Sequence, residues 1–407
     1  MNAPISQNLL RKSRPIYDSL RTRAQDERWE TFIEGILKRL ELPKEHRDRA
    51  EREYHRLGEH IASYFDVPAQ QVDVSPQGSM RTCTTIKPRG NTKFDLDIVV
   101  VLAGWEFESM APDEFFFTFG EALKGLPEVC GDAEEKNRCW RLPFARLPFY
   151  FDVTPALPAG QFVGAAPLRV RDRTRGWSAS NPRELATWFS EIADLRFYFQ
   201  THRSYVAMDS AKSISPLPEA EVAIDDILRR AIQLMKLHRD NFYHYATPEQ
   251  RDAAPISIII MTLAARAYLH LSQTKGNITR NSLEVVLELI ELMPSFIEYD
   301  RYGACVPNPK LVQENFADRW NSDNGARAGE FARWHTQLID DLETMFSEDA
   351  GHSSASRIRS VFGDDGVEAW KAIQPSNGAM FPSLLGAMPV SVGPLVNRSR
   401  PARTTLA

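Results

Sequence analysis

The segment Phe94-Asp95-Leu96-Asp97-Ile98-Val99-Val100-Val101 constrains this chain more than any other. So apolar a run reads as a buried strand, yet its first half carries two carboxylates. Side chains two apart on a strand point to the same face, so Asp95 and Asp97 converge on one point. Unpaired carboxylates in such a place are costly; they must be paired, protonated or bound to a metal. A third acid, Asp152, stands in Phe149-Tyr150-Phe151-Asp152-Val153-Thr154, another apolar strand. Three such oxygen donors suit a hard divalent cation, Mg2+ first. Two ions ~3.5–4 Å apart activate an attacking oxygen and stabilise a leaving one in phosphoryl transfer.

Upstream, Gln77-Gly78-Ser79 ends sixteen residues before Asp95. Glycine permits a tight turn whose backbone N–H groups face an anion, and serine adds a hydroxyl donor. The same residues also read as a plain strand-to-helix turn with Ser79 as N-cap. Singly these features are weak; in this order they outline a site that handles nucleotide phosphates.

The 407 residues suit two domains. A formal net charge of −5 argues against a protein whose main task is to coat nucleic acid, though it leaves room for a local basic patch. The first residues have no apolar core, so no signal peptide is expected. The longest greasy stretch, Ile256 to Leu269, is broken by Ser257, Thr262 and Arg266 and is too short to span a bilayer. Cys83, Cys130, Cys139 and Cys305 form no CxxC pair and read as reduced thiols of a cytoplasmic protein. Walker A, GxGxxG, HExxH and GxSxG patterns are absent, which removes P-loop, Rossmann, zincin and serine-hydrolase readings.

Helical spacing predicts helices over 17–40 and 44–65, and strands dominate from 71 to about 175, with a helix near 112–125. Strand candidates are Val72–Val74, 94–102, Arg138–Leu142 and Leu147–Val153. In Leu168-Arg169-Val170-Arg171-Asp172-Arg173-Thr174-Arg175, four arginines at period two share a face if extended, either as an exposed edge or as an anion site. Beyond Asn181-Pro182 the chain reads as almost wholly helical, at 182–200, 220–243, 254–272, 281–296, 309–320, 326–347 and 364–373. In the 220–243 helix Arg229, Gln233, Lys236 and Asp240 lie off the apolar stripe, a face solvated in the plain reading. Residues from Pro375 on read as a mobile tail.

Taken together, Gln77-Gly78-Ser79, Asp95-Leu96-Asp97 and Asp152 resemble the polymerase-β-like nucleotidyltransferases. The wider text is similar to the cGAS/DncV-like nucleotidyltransferases (CD-NTases) of bacterial CBASS anti-phage signalling. That likeness rests on Gly78 to Pro88, Ser180-Asn181-Pro182, Gln233 to Asp240, Pro255 to Ile260, and Val306-Pro307-Asn308-Pro309 leading to Asn315 to Trp320; it covers roughly residues 20–375. It implies an α+β fold: a polymerase-β-like core of mixed sheet and flanking helices over 1–180, packed on a helical domain over 181–374 that closes the nucleotide cleft, then a tail over 375–407.

The resemblance further implies an enzyme that joins ribonucleoside triphosphates, ATP among them, into a cyclic di- or trinucleotide that activates an effector. Gly78 and Ser79, with Gln77, would hold the donor triphosphate. Asp95 and Asp97 would bind both Mg2+ ions, Mn2+ being a substitute, and Asp152 the ion that activates the attacking hydroxyl. Lys236 would reach the donor phosphates, assisted by Ser257. Position 258, aromatic in many animal relatives, is isoleucine here. An inserted zinc-binding cluster and basic platform are absent, so direct activation by double-stranded DNA is not expected; regulatory partners encoded nearby, and no membrane partner, are. His238, His244 and His270 read as surface or packed side chains. The competing readings are a transferase that adds nucleotides to RNA or AMP to protein, and a non-catalytic nucleotide- or RNA-binding relative.

Overall fold

Alternation along Phe94–Leu102 (β2) decides how the sheet is covered. Phe94, Leu96, Ile98, Val100 and Leu102 face helices, packing with Tyr54, Leu57 and Ile61 of Lys44–Phe65 (α2) and with Phe115 and Phe119 of Pro112–Ala122 (α4). Val99 and Val101 face the other way, onto Ala156, Leu168 and Val170. The odd-numbered face therefore starts acidic and ends apolar.

The computed structural model describes residues 23–89, 93–160, 167–195, 197, 226–275, 282–346 and 353–374. The expected helix ends at 17–22, 196, 198–200, 220–225, 281 and 347, and the expected tail from Pro375, lie outside them.

The mixed sheet runs Val72–Pro76 (β1), β2, Phe149–Pro158 (β5), Trp140–Pro143 (β4), Glu134–Glu135 (β3). β2 and β5 are parallel; the other pairings are antiparallel. Leu168–Asp172 (β6) joins β5 beyond β4 and forms a hairpin with Gly176–Ser180 (β7). Between β1 and β2 lies a single helical turn, Gly78–Arg81 (α3).

After β7 the longer helices are Pro182–Ala193 (α5), Ile227–Phe242 (α6), Ser257–Lys275 (α7), Ser282–Leu292 (α8), Ala326–Phe346 (α9) and Ala355–Ile373 (α10). Asn181 caps α5 by accepting the Glu184 N–H, and Asp226 caps α6 by accepting from Arg229. They share a second core built on Phe189, Ile232, Met235, Leu263, Trp334, Leu338 and Phe362. Trp29, Phe32, Ile36 and Leu40 of the first helix, Arg23–Leu40 (α1), belong to that core and not to the sheet. The described residues up to Ile373 form one compact unit. No helix among them is long and apolar enough to cross a membrane, and all four cysteines are free.

Two sequence expectations are corrected. The helix expected over 309–320 is a strand, Leu311–Asn315 (paired with Pro307–Asn308), followed by a 3-10 turn at Asp318–Asn321. Asparagine side chains take over the local backbone bonding: Asn315 Oδ1 accepts from Val306 and Ala317 N–H, and Asn308 Oδ1 from Lys310 N–H. Nor is Leu168 to Arg175 one extended face, because the chain turns after Asp172. Its arginines are engaged internally: Arg171 is buried on Asp113 (2.7 Å), Arg173 pairs with Glu135 (2.8 Å) and Arg175 with Asp318 (2.9 Å). Arg169 lies over the Trp177 ring. The anion-site alternative for this run falls with those pairings.

Candidate active site

Strand register assembles the site. Asp97 lies opposite Asp152 across the parallel β2/β5 pair, and Asp152 opposite Arg141 across the antiparallel β5/β4 pair. Asp95 is opposite Tyr150. One carboxylate oxygen each from Asp95, Asp97 and Asp152 lies within 4.8 Å of the others. Burial, then the neighbouring Asp152 charge, pushes the Asp95 carboxyl up to about 6; burial, then Asp95 and Asp152, pushes Asp97 up to about 8. A cluster of three mutually repelling carboxylates, made only of hard oxygen donors, fits a divalent cation.

Arg141 is the positive group the sequence reading missed. Its Nε donates to Asp152 Oδ1 and its Nη2 to Asp152 Oδ2, both at 2.7 Å, and Nη2 is 3.7 Å from Asp95 Oδ2. The guanidinium lies 3.9 Å from the Tyr150 ring centroid. The strand candidate Arg138–Leu142 contained Arg141, but only its register against β5 aims it at Asp152.

The Gly-Ser turn sits on the acidic strand. The Gln77 N–H donates to the Asp97 carbonyl (2.9 Å), and the Gln77 amide to Thr154 Oγ1 (3.2 Å). Gly78 has φ +56°, and a Cβ there would stand 2.2 Å from Asp97 Oδ2. Only glycine brings the chain this close to the carboxylate. Ser79 lies inside the short helix α3, so it is not the N-cap; that position is Gln77. The Ser79 carbonyl accepts the Thr84 N–H (3.0 Å), and its hydroxyl accepts from Thr85 (3.2 Å).

The polar face of α6 closes on the segment after the turn. Arg229 Nε donates to Thr82 O (3.0 Å), Gln233 Nε2 to Thr85 O (3.3 Å) and Lys236 Nζ to Thr84 O (2.8 Å). Gln233 is 1% exposed and Lys236 6%, so this face is buried rather than solvated. Burial, then the Arg239 charge, lowers the Lys236 ammonium to about 8, while Asp240, Asp97 and Asp95 oppose that shift. Ser257 opens α7, and its hydroxyl accepts from Arg239 Nη1 (3.0 Å), which also donates to Pro255 O (3.1 Å). Arg239, quoted in the sequence only as part of the Gln233 to Asp240 stretch and given no role there, thus links the lysine helix to the serine helix.

No protein-family model matches the chain. The chain is 26% identical over 309 residues to a protein of Roseivirga ehrenbergii named c-di-GMP synthase, covering 72% of this chain and 73% of that one. The solved structure of the Bradyrhizobium diazoefficiens CD-NTase CdnG in complex with GTP superposes with a TM-score of 0.61 at 19% identity, over 84% of this chain and 97% of the other. The structure of E. coli MS115-1 CdnC with ATP does so with a TM-score of 0.54 at 12% identity, over 82% and 97%. The chain has the fold of these CD-NTase structures. Within that fold the mixed sheet carries the three carboxylates and the Gly-Ser turn, and Lys236 and Ser257 lie on helices of the helical half. His238 is packed, accepting from Trp334 Nε1 (3.1 Å) and facing Asp341 (3.0 Å).

Proposed function

We propose that this chain is a Mg2+-dependent cyclic oligonucleotide synthase of anti-phage defence. The convergence of Asp95, Asp97 and Asp152 beneath the Gly78 turn carries the reading. A binding module has no need to hold three carboxylates together at such electrostatic cost. The Roseivirga relative is named for cyclic di-GMP, the CdnG structure is a complex with GTP and the CdnC structure holds ATP, so GTP and ATP are the first substrates to test.

A ribose 2′- or 3′-hydroxyl of one nucleotide attacks the α-phosphate of another. A new P–O bond forms as the bond to the β-phosphate bridge breaks, and pyrophosphate leaves. The linear product rebinds with its ends exchanged, and the same step closes the ring. Asp95, Asp97 and Asp152 would hold divalent ions, Mg2+ or Mn2+, which supply Lewis-acid stabilisation and a more acidic attacking hydroxyl. Gln77, Gly78 and Ser79 place the donor triphosphate against the acids. Lys236 and Ser257, with Arg239 behind both, add positive charge and a hydroxyl donor from the helical side. Most of the catalysis is positioning and charge stabilisation. The product would act through a nucleotide-activated effector.

The test is to incubate the purified protein with Mg2+ and all four ribonucleoside triphosphates, treat with phosphatase and identify surviving products by mass spectrometry. A cyclic oligonucleotide, lost in a folded Asp95→Asn/Asp97→Asn variant, is expected. Label in RNA or protein instead would replace the reading with that of a polymer- or protein-modifying transferase.

A further inference from the structure

Asp152 is committed twice. Proposed as a metal ligand, it already receives both donors of the Arg141 fork at 2.7 Å. A bidentate Arg–carboxylate pair is among the stronger ion pairs a protein makes, and Asp152 is only 8% exposed, so water does little to loosen it. We propose that Arg141 gates the third carboxylate: a divalent cation takes Asp152 only by displacing the guanidinium. The inference rests on the metal reading above and adds to it an intrinsic competitor.

Three observations carry it. Arg141 reaches Asp95 as well (3.7 Å), so it bridges two of the three acids from the side of β4. The register Asp97, Asp152, Arg141 across three adjacent strands leaves no other residue of β4 opposite Asp152. The Tyr150 ring, 3.9 Å away, gives the displaced guanidinium a surface to stay on beside the carboxylates. There a triphosphate is its natural anionic partner, because the fork that fits a carboxylate also fits phosphate. Cation alone therefore binds poorly, and nucleotide helps by giving Arg141 somewhere else to go. The gate ties metal loading to substrate arrival, so the site does not hold a reactive ion without a nucleotide.

The experiment measures Mn2+ alone, in the absence of nucleotide, by electron paramagnetic resonance of free Mn2+ titrated into wild type, Arg141→Gln, Arg141→Lys and Asp95→Asn/Asp97→Asn. Loss of the competing fork should tighten Mn2+ binding about tenfold in Arg141→Gln, the scale of one charge-assisted bond. Arg141→Lys keeps a charge but loses the fork, so it should fall between; it also serves if the glutamine variant does not fold, as judged by its melting curve. A gain in affinity cannot come from general damage. The gate is overturned if Mn2+ binds wild type, is lost in the double asparagine variant, and binds neither Arg141 variant more tightly. Binding unchanged in the double asparagine variant, or absent from wild type and Arg141→Gln alike, would remove the metal reading and the gate with it.

Discussion

At the scale of single residues, Gly78 and Asp97 define each other. A Cβ at position 78 would meet Asp97 Oδ2 at 2.2 Å, and φ there is +56°. Gly78→Ala should therefore displace the carboxylate and cut cyclic product formation by roughly 100-fold or more, the scale of a misplaced reacting group. Gly125, whose φ is +80° and where a Cβ would meet nothing within 4 Å, is the control: Gly125→Ala carries the backbone cost alone and should leave turnover unchanged. Electrostatics give a second prediction. The raised Asp95 and Asp97 values, about 6 and about 8, mean that the folded state binds more protons than the unfolded one from the ordinary carboxylate range upward. Their contribution to stability is present at low pH and is lost as pH rises through 6 and 8. Burial lowers His335 below its usual 6.5, which works in the opposite sense but equally in a variant. Hence the melting temperature of chelator-treated Asp97→Asn should gain on wild type between pH 5 and pH 8; a constant gap would contradict the repulsion.

Among the elements, α6 matters most to the site, because its polar face is the brace of the Gly-Ser turn. Thr84 and Thr85 hold Ser79 from below, and Gln233 and Lys236 hold those threonines from above. Gln233→Leu keeps the bulk but withdraws the donor from Thr85 O. It should cost about 1–3 kcal/mol in a denaturant melt and raise the KM for nucleotide more than it lowers kcat. An unchanged KM would mean that the turn stands without this brace. The same helix shows where sequence legibility ends. Alternation and apolar context made Asp95, Asp97 and Asp152 readable, since a charge inside a buried strand needs a reason. The positions of Arg229, Gln233 and Lys236 off the apolar stripe were readable too. Their partners were not, because these are backbone carbonyls about 150 positions away in the chain. Arg141 stayed hidden for a related reason: strand register between separate segments carries no local signal. The misread helix at 309–320 failed on asparagine amides that satisfy the backbone in place of helical bonds.

Across the whole molecule, chain order and packing order differ at α1. It precedes the sheet in sequence, but Trp29, Phe32, Ile36, Leu37 and Leu40, each 0–1% exposed, are buried in the core of the helical half. Trp29 meets Phe346 edge-on at 5.2 Å, and Phe32 meets Phe362 at 5.8 Å, so α1 joins the last two helices of the described chain. At ~1.5–3 kcal/mol per large apolar side chain, these five contribute on the order of 10 kcal/mol. That rivals the whole net stability of a typical domain, about 5–15 kcal/mol. Removing residues 1–40 should therefore not yield a trimmed enzyme with an intact sheet and site. It should expose the faces of α9 and α10 that Trp29 and Phe32 cover, and so loosen α6, which packs in the same core and braces the turn. The expected result is a protein that binds a hydrophobic dye, melts without a cooperative transition and makes no cyclic product. A truncated chain that melts cooperatively and retains turnover would show that the helical core closes without α1, and that the brace on the site is independent of it.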